Sequence, residues 1–79
     1  IMLDASEVQQ RIETGIPGAQ VRVEDLTGGS DHFSVEVVAA AFAGQTPIKR
    51  HRMVYAALGE AMSGPIHALQ LTTRTPDEG

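Results

Sequence analysis

Three histidines, His32, His51 and His67, and one four-residue run, Lys49-Arg50-His51-Arg52, are the residues whose types could do chemistry in this chain of 79 residues. Neutral imidazole is a common ligand for zinc and iron. The chain has no cysteine. That excludes a disulfide framework, a thiol nucleophile, a Cys-ligated zinc site and an all-Cys iron–sulfur site within this chain. No two histidines stand at a metal-ligand spacing such as HxxxH. A metal site would therefore have to be assembled in space or completed by a partner protein.

His67 follows Gly64-Pro65, at the mouth of an expected strand, where an imidazole can show its ring to solvent or to a ligand. Strand parity puts it on the face of Leu69 and Leu71. Its plain alternative is a histidine half-buried at the end of a sheet. His32 stands between the Gly28-Gly29 loop and an expected strand, offset by one from Phe33, so it points away from the Phe33-Val35-Val37 face. By itself it reads as an exposed loop histidine. His51 falls by helical spacing in the middle of an apolar face, beside Tyr55 and Leu58, and reads as a hydrogen-bonded histidine at the edge of a core.

Half of the six basic residues lie in Lys49, Arg50 and Arg52, which leaves three bases against ten acids elsewhere, a balance of −7. The cluster opens a helix, where the macrodipole disfavours cations by a few tenths of a kcal/mol each. A locally unfavourable arrangement invites an anion, a phosphate or an acidic partner surface as its explanation; the alternative is a solvated face that keeps the protein soluble. Helical spacing fans the three side chains over roughly 160°, so they do not all address one groove. The net charge of −4 speaks against a uniformly basic nucleic-acid binder. Gly15-Ile-Pro-Gly18 has the spacing of a GxxG nucleotide clamp, but it joins a helix to a strand rather than two helices. Walker A, GxGxxG and GxSxG sequences are absent, and the three aromatic residues form no stacking array.

The elements that must position these residues are legible in outline. Asp4-Ala-Ser-Glu7 has capping-box spacing, Val8 and Ile12 recur at i, i+4, and Gly15 sits where a helix C′ glycine belongs, so a helix is expected over 5–14. Ala19, Val21 and Val23 alternate with polar residues in a first strand. Phe33, Val35 and Val37 do so in a second, and the short loop between them implies an antiparallel hairpin. Phe42-Ala43-Gly44-Gln45 reads as an irregular or 3₁₀ turn. Thr46-Pro47 reads as an N-cap and a first-turn proline for the main helix, expected over 47–62 with Ile48, Val54, Tyr55, Leu58, Ala61 and Met62 on its apolar face. Ser63-Gly64-Pro65 stops it, and Ile66 to Thr73 forms a third strand. Thr75-Pro76-Asp77-Glu78 resembles the start of a final helix that the end of the sequence would truncate. A β-α-β crossover leaves its strands parallel. The expected architecture is α+β: α-β-β-α-β, a three-stranded mixed sheet with helices on one face, in one domain over residues 2–79. The longest apolar run, Val37 to Ala43, is seven residues, far short of a membrane span. No basic-then-apolar leader opens the chain, and a cytoplasmic, reducing location is expected.

The series Phe42-Ala-Gly-Gln-Thr-Pro-Ile-Lys-Arg-His-Arg-Met-Val-Tyr55, then Leu58-Gly-Glu60, Ile66-His-Ala-Leu69 and Thr75-Pro-Asp-Glu78, closely resembles the BolA family over about Val21 to Glu78. The resemblance implies an α-β-β-α-β-α fold similar to a class II KH domain, and an adaptor rather than an enzyme. BolA-like proteins pair with monothiol glutaredoxins carrying a CGFS motif and hold a bridging [2Fe-2S] cluster between glutaredoxin cysteine, glutathione and BolA side chains. The isolated chain would hold no cluster tightly, and it would be a monomer or weak homodimer without one. The family's ligand histidine lies in the Ile-His-Ala-Leu motif, which makes it His67 here. The second ligand comes from the loop before the second strand. Many relatives have cysteine there; this loop carries Ser30 near that position and looks more like the subgroup with a histidine, which nominates His32. Imidazole in place of thiolate removes negative charge from a cluster and raises its potential. It can also protonate and leave, which makes release pH-sensitive. Some relatives are described as transcriptional regulators, which makes DNA an alternative partner through Lys49, Arg50 and Arg52; His51 and Ser30 are secondary candidates. A partner-binding domain without cluster ligation is a third reading.

Overall fold

The computed structural model describes residues 4–29, 32–60 and 68–78. Helix α1 spans Ala5–Gly15, strand β1 Gln20–Asp25, strand β2 His32–Val38, helix α2 Pro47–Leu58 and strand β3 Ala68–Arg74, with 3₁₀ turns at Ala40–Phe42 and Pro76–Glu78. The sheet order is β1-β2-β3. β1 pairs antiparallel with β2, from Gln20↔Val38 to Asp25↔Phe33. β2 pairs parallel with β3, from His32↔Ala68 to Val38↔Arg74. The expected mixed sheet and α+β class are what the structure has.

β2 is the central strand, and its alternation is the reason. Phe33, Val35 and Val37 are buried while the residues between them are half-buried, because only one face of the sheet carries the core. Val8, Ile12 and Ile16 come down from α1, Val54 and Leu58 from α2, and Ala39 and Phe42 close the far end. Burying one such side chain contributes roughly 1.5–3 kcal/mol. Val21 and Val23 on β1 and Leu69 and Leu71 on β3 pack partly against this cluster.

Local signals set the helix boundaries. Asp4 caps α1 by accepting the Glu7 N–H at 2.9 Å, and Thr46 caps α2 by accepting the Lys49 N–H at 3.2 Å, with Pro47 in its first turn. Two expectations need correction. Gly15 is not a C′ cap: it is the last residue of α1, and the Ile16 N–H closes the helix on the Ile12 carbonyl at 2.8 Å. A Cβ on Gly15 would meet the Ala57 Cβ at 2.5 Å. Glycine is needed there because α1 and α2 approach so closely. The main helix also ends at Leu58, with Gly59 at φ +59° as its cap, rather than near residue 62. The Ser63-Gly64-Pro65 stop and the expected face residues Ala61 and Met62 lie outside the described residues.

The expected apolar face of α2 is rotated. Val54 and Leu58 are buried as expected, but Ile48 is 65% and Tyr55 39% exposed, and Met53 and Ala57 pack against the core in their place. His51 accordingly sits half-buried on the shoulder of the helix, not in the middle of its buried face.

Candidate functional site

β2 and β3 are parallel, so both begin at the same end of the sheet, and α2 must return to that end to connect them. His32 is the first residue of β2 and Ala68 the first of β3, and they are register partners. His32 is half-buried. His67 is bonded to Ala68 but lies, with Ser30, outside the described residues.

The loop that delivers His32 is organised by one carboxylate. Asp25 Oδ1 accepts the Gly28 N–H at 2.9 Å and the Thr27 N–H at 3.2 Å, and Thr27 Oγ1 accepts the Gly29 N–H at 3.2 Å. Gly28 takes φ +77°, a conformation that glycine adopts without steric cost. The Leu26 N–H donates to the His32 carbonyl at 2.9 Å. That bond fixes the backbone of His32 and sets an apolar side chain, 46% exposed, beside it. Sequence reasoning missed Asp25 and Leu26. The Asp-x-Thr-Gly-Gly spacing was the available signal, because aspartate two or three residues before a glycine often accepts backbone N–H groups in such turns.

The basic run does not act as one patch. Lys49 and Arg52 are exposed. The Arg50 side chain is only 12% exposed and makes a bidentate pair with Glu78, Nη1 to Oε1 at 2.7 Å and Nη2 to Oε2 at 3.0 Å. Its Nε donates to the Gln45 carbonyl at 3.0 Å, and the guanidinium lies 5.9 Å from the Phe42 ring centroid. Glu78 Oε1 also accepts the Thr75 N–H at 3.0 Å, the return half of a capping box. Hydrogen bonding to Arg50, then to the Thr75 backbone, holds the Glu78 carboxyl at about 2, below its ordinary 4.5. The Glu78 hydrogen bond in turn raises the Arg50 guanidinium further. The macrodipole cost of a cation in the first turn of α2 is offset, for Arg50, by a carboxylate of the same chain. Thr75-Pro76-Asp77-Glu78 forms a 3₁₀ turn, Pro76–Glu78, where a final helix was expected to begin. The His51 ring stands edge-on to Tyr55, centroids 6.4 Å apart at 74°.

Among the described residues, no group of three or more His, Asp or Glu side chains is gathered to hold a metal ion, and no helix is long and apolar enough to cross a membrane. An open groove of about 560 Å³ between α1 and α2, lined by Arg11, Thr14, Gly15 and Ala57 among others, contains none of the residues nominated from sequence.

The sequence model of the family described as "BolA-like protein" matches residues 8–78. BolA-like protein 1 of Bos taurus is 51% identical over 49 residues, which is 62% of this chain and 36% of that protein. The chain thus spans well under half the length of the curated relative it matches. Among solved structures, a bolA protein homologue from Coxiella burnetii superposes with a TM-score of 0.83 at 45% identity, over 98% of this chain and 96% of that one. BolA1 from Arabidopsis thaliana superposes with a TM-score of 0.87 at 30% identity, over 100% and 99%. The one-sided core, the β1-β2-β3 order and the match across 8–78 agree: this chain belongs to the BolA-like protein family.

Proposed function

We propose that this chain is the adaptor half of a pair with a CGFS monothiol glutaredoxin, and that His32 and His67 are its ligands to a [2Fe-2S] cluster shared with that partner and glutathione. One observation carries the reading: His32 heads β2 in register with Ala68, the residue to which His67 is bonded in sequence. His32, at the head of β2, takes the role that a loop cysteine takes in many relatives.

The donor set fits a shared cluster. The chain offers nitrogen and oxygen but no thiol, and imidazole is an established iron ligand in clusters otherwise held by sulfur. With two of its three imidazoles as ligands, the chain leaves the remaining ligands to its partner. The cluster, when bound, is cargo that supplies iron, sulfide and a one-electron couple. The work of this chain is positional. The Asp25 carboxylate holds the loop, the Leu26 N–H fixes the His32 carbonyl, and the parallel register sets the separation of the two strand starts. Protonation of a liganding imidazole would favour release.

Mixing the chain with cluster-loaded CGFS glutaredoxin tests this. The expected result is co-elution of the two proteins with altered visible absorption and circular dichroism. Replacement of His67 or His32 by alanine should remove the spectral change, while Thr72→Ala, on the open face of β3, should retain it. Unchanged spectra with no co-elution contradict the proposal.

A further inference from the structure

α2 carries apolar side chains on two sides. Val54 and Leu58 are buried, yet Ile48 and Tyr55 stand 65% and 39% exposed. Ile48, His51, Arg52 and Tyr55 fall at i, i+3, i+4 and i+7, which places them in one stripe along the helix. The edge-on contact of His51 with Tyr55 braces the tyrosine ring within that stripe. Lys49 and Arg52 are exposed on the same helix, and the rest of the chain beyond the Lys49–Arg52 run is acidic.

We infer that this stripe is a docking helix for a protein surface with an apolar groove and an acidic rim. Anchors at i, i+3, i+4 and i+7 are how a helix is read by such a groove. Tyrosine and arginine beside an exposed aliphatic are the side chains that dominate interface centres. Charge complementarity selects the occupant: Lys49 and Arg52 are exposed on this helix, so an acidic rim is attracted, whereas a second copy docked by the same stripe about a twofold axis would set these cations against their own like charges. A nucleic-acid backbone fits less well. Arg50 is occupied by Glu78, which leaves two exposed cations on α2, and an exposed isoleucine adds nothing to phosphate binding. The inference rests on the glutaredoxin reading and assigns the acidic-rimmed groove to that partner.

The test titrates cluster-free and cluster-loaded CGFS glutaredoxin with the wild type, Ile48→Glu, Tyr55→Ala, Lys49→Ala/Arg52→Ala and His67→Ala. All sites but His67 are solvent-facing, so an unchanged far-ultraviolet spectrum and Tm certify those folds. Ile48→Glu and Tyr55→Ala should each weaken binding of both forms by about tenfold or more. The double cation variant should slow association and reduce its dependence on salt. His67→Ala should lose the cluster spectrum and keep cluster-free binding. Wild-type affinity in both Ile48→Glu and Tyr55→Ala, with the His67→Ala spectral loss intact, overturns the docking helix and leaves the cluster role standing. A homodimer that Ile48→Glu dissolves without touching glutaredoxin binding reassigns the stripe to a second copy and also overturns it. No glutaredoxin binding by the wild type in either form removes both proposals.

Discussion

At the end of the sheet where β2 and β3 finish, Arg50 grips Glu78 through two hydrogen bonds of 2.7 and 3.0 Å and covers the buried ring of Phe42. At the opposite end, where both strands begin, His32 sits half-buried beside the exposed Leu26, after a loop whose Thr27 and Gly28 N–H groups donate to Asp25. Both ends contain side chains that sequence motifs single out. The difference is in what those side chains face. The guanidinium at the closed end already has its carboxylate within the chain, so its chemistry is spent on holding the C-terminal turn. The open end combines a half-buried imidazole with an exposed apolar neighbour.

The largest expected effect tests the closed end as a structural unit. Phe42→Ala should cost about 3–5 kcal/mol, since the ring is fully buried beneath Arg50 and its removal leaves a cavity; chemical denaturation measures it. Next comes the contact between the helices that join the two ends. Gly15→Ala should cost about 1–3 kcal/mol, because its Cβ would stand 2.5 Å from that of Ala57. A neutral result would mean that α1 shifts freely on α2.

The open end should give smaller changes in stability and larger ones in binding. Asp25→Ala removes an acceptor shared by two backbone N–H groups and should cost roughly 0.5–1.5 kcal/mol. It should also weaken the cluster-bridged complex, while leaving the Arg50–Glu78 pair intact. Equal spectral titrations for Asp25→Ala and wild type would show that loop order does not matter to His32.

The smallest effect is the pH response of the closed end. The Glu78 carboxyl is lowered in the folded protein, from 4.5 to about 2, so its contribution is fully present above about pH 4.5 and is lost as pH falls toward about 2. Glu78→Gln should flatten that part of the stability profile and leave the neutral-pH cluster spectrum unchanged. The Glu78 side chain is 46% exposed, so the change should be modest. A profile in Glu78→Gln that parallels the wild type from pH 5 to pH 2 would deny the pair its role.

What was legible in the sequence was local. The Asp4 and Thr46 caps, the Pro47 start, the β2 alternation and the short hairpin loop each depend on residues a few positions apart, and each appears as expected. What was not legible required the third dimension. Helix α2 has enough apolar residues for two faces. Packing against β2 and α1 chose Met53, Val54, Ala57 and Leu58 over Ile48 and Tyr55. Arg50 and Glu78 are 28 positions apart, so no window could pair them, although the Thr75–Glu78 capping spacing was visible. Gly15 sits where a cap would be expected, and only the neighbouring helix reveals that it is there for its missing side chain. Of the site itself, the resemblance nominated His32 and His67; the structure adds that β2 and β3 begin in register at His32 and Ala68.

The most direct measurement is a visible circular dichroism titration of cluster-loaded CGFS glutaredoxin with the wild type, His32→Ala and His67→Ala, each checked for an intact fold. The account predicts a new signal that saturates at one chain per glutaredoxin for the wild type and is lost in both variants. A wild-type signal that survives unchanged in the His32→Ala/His67→Ala double variant would contradict it.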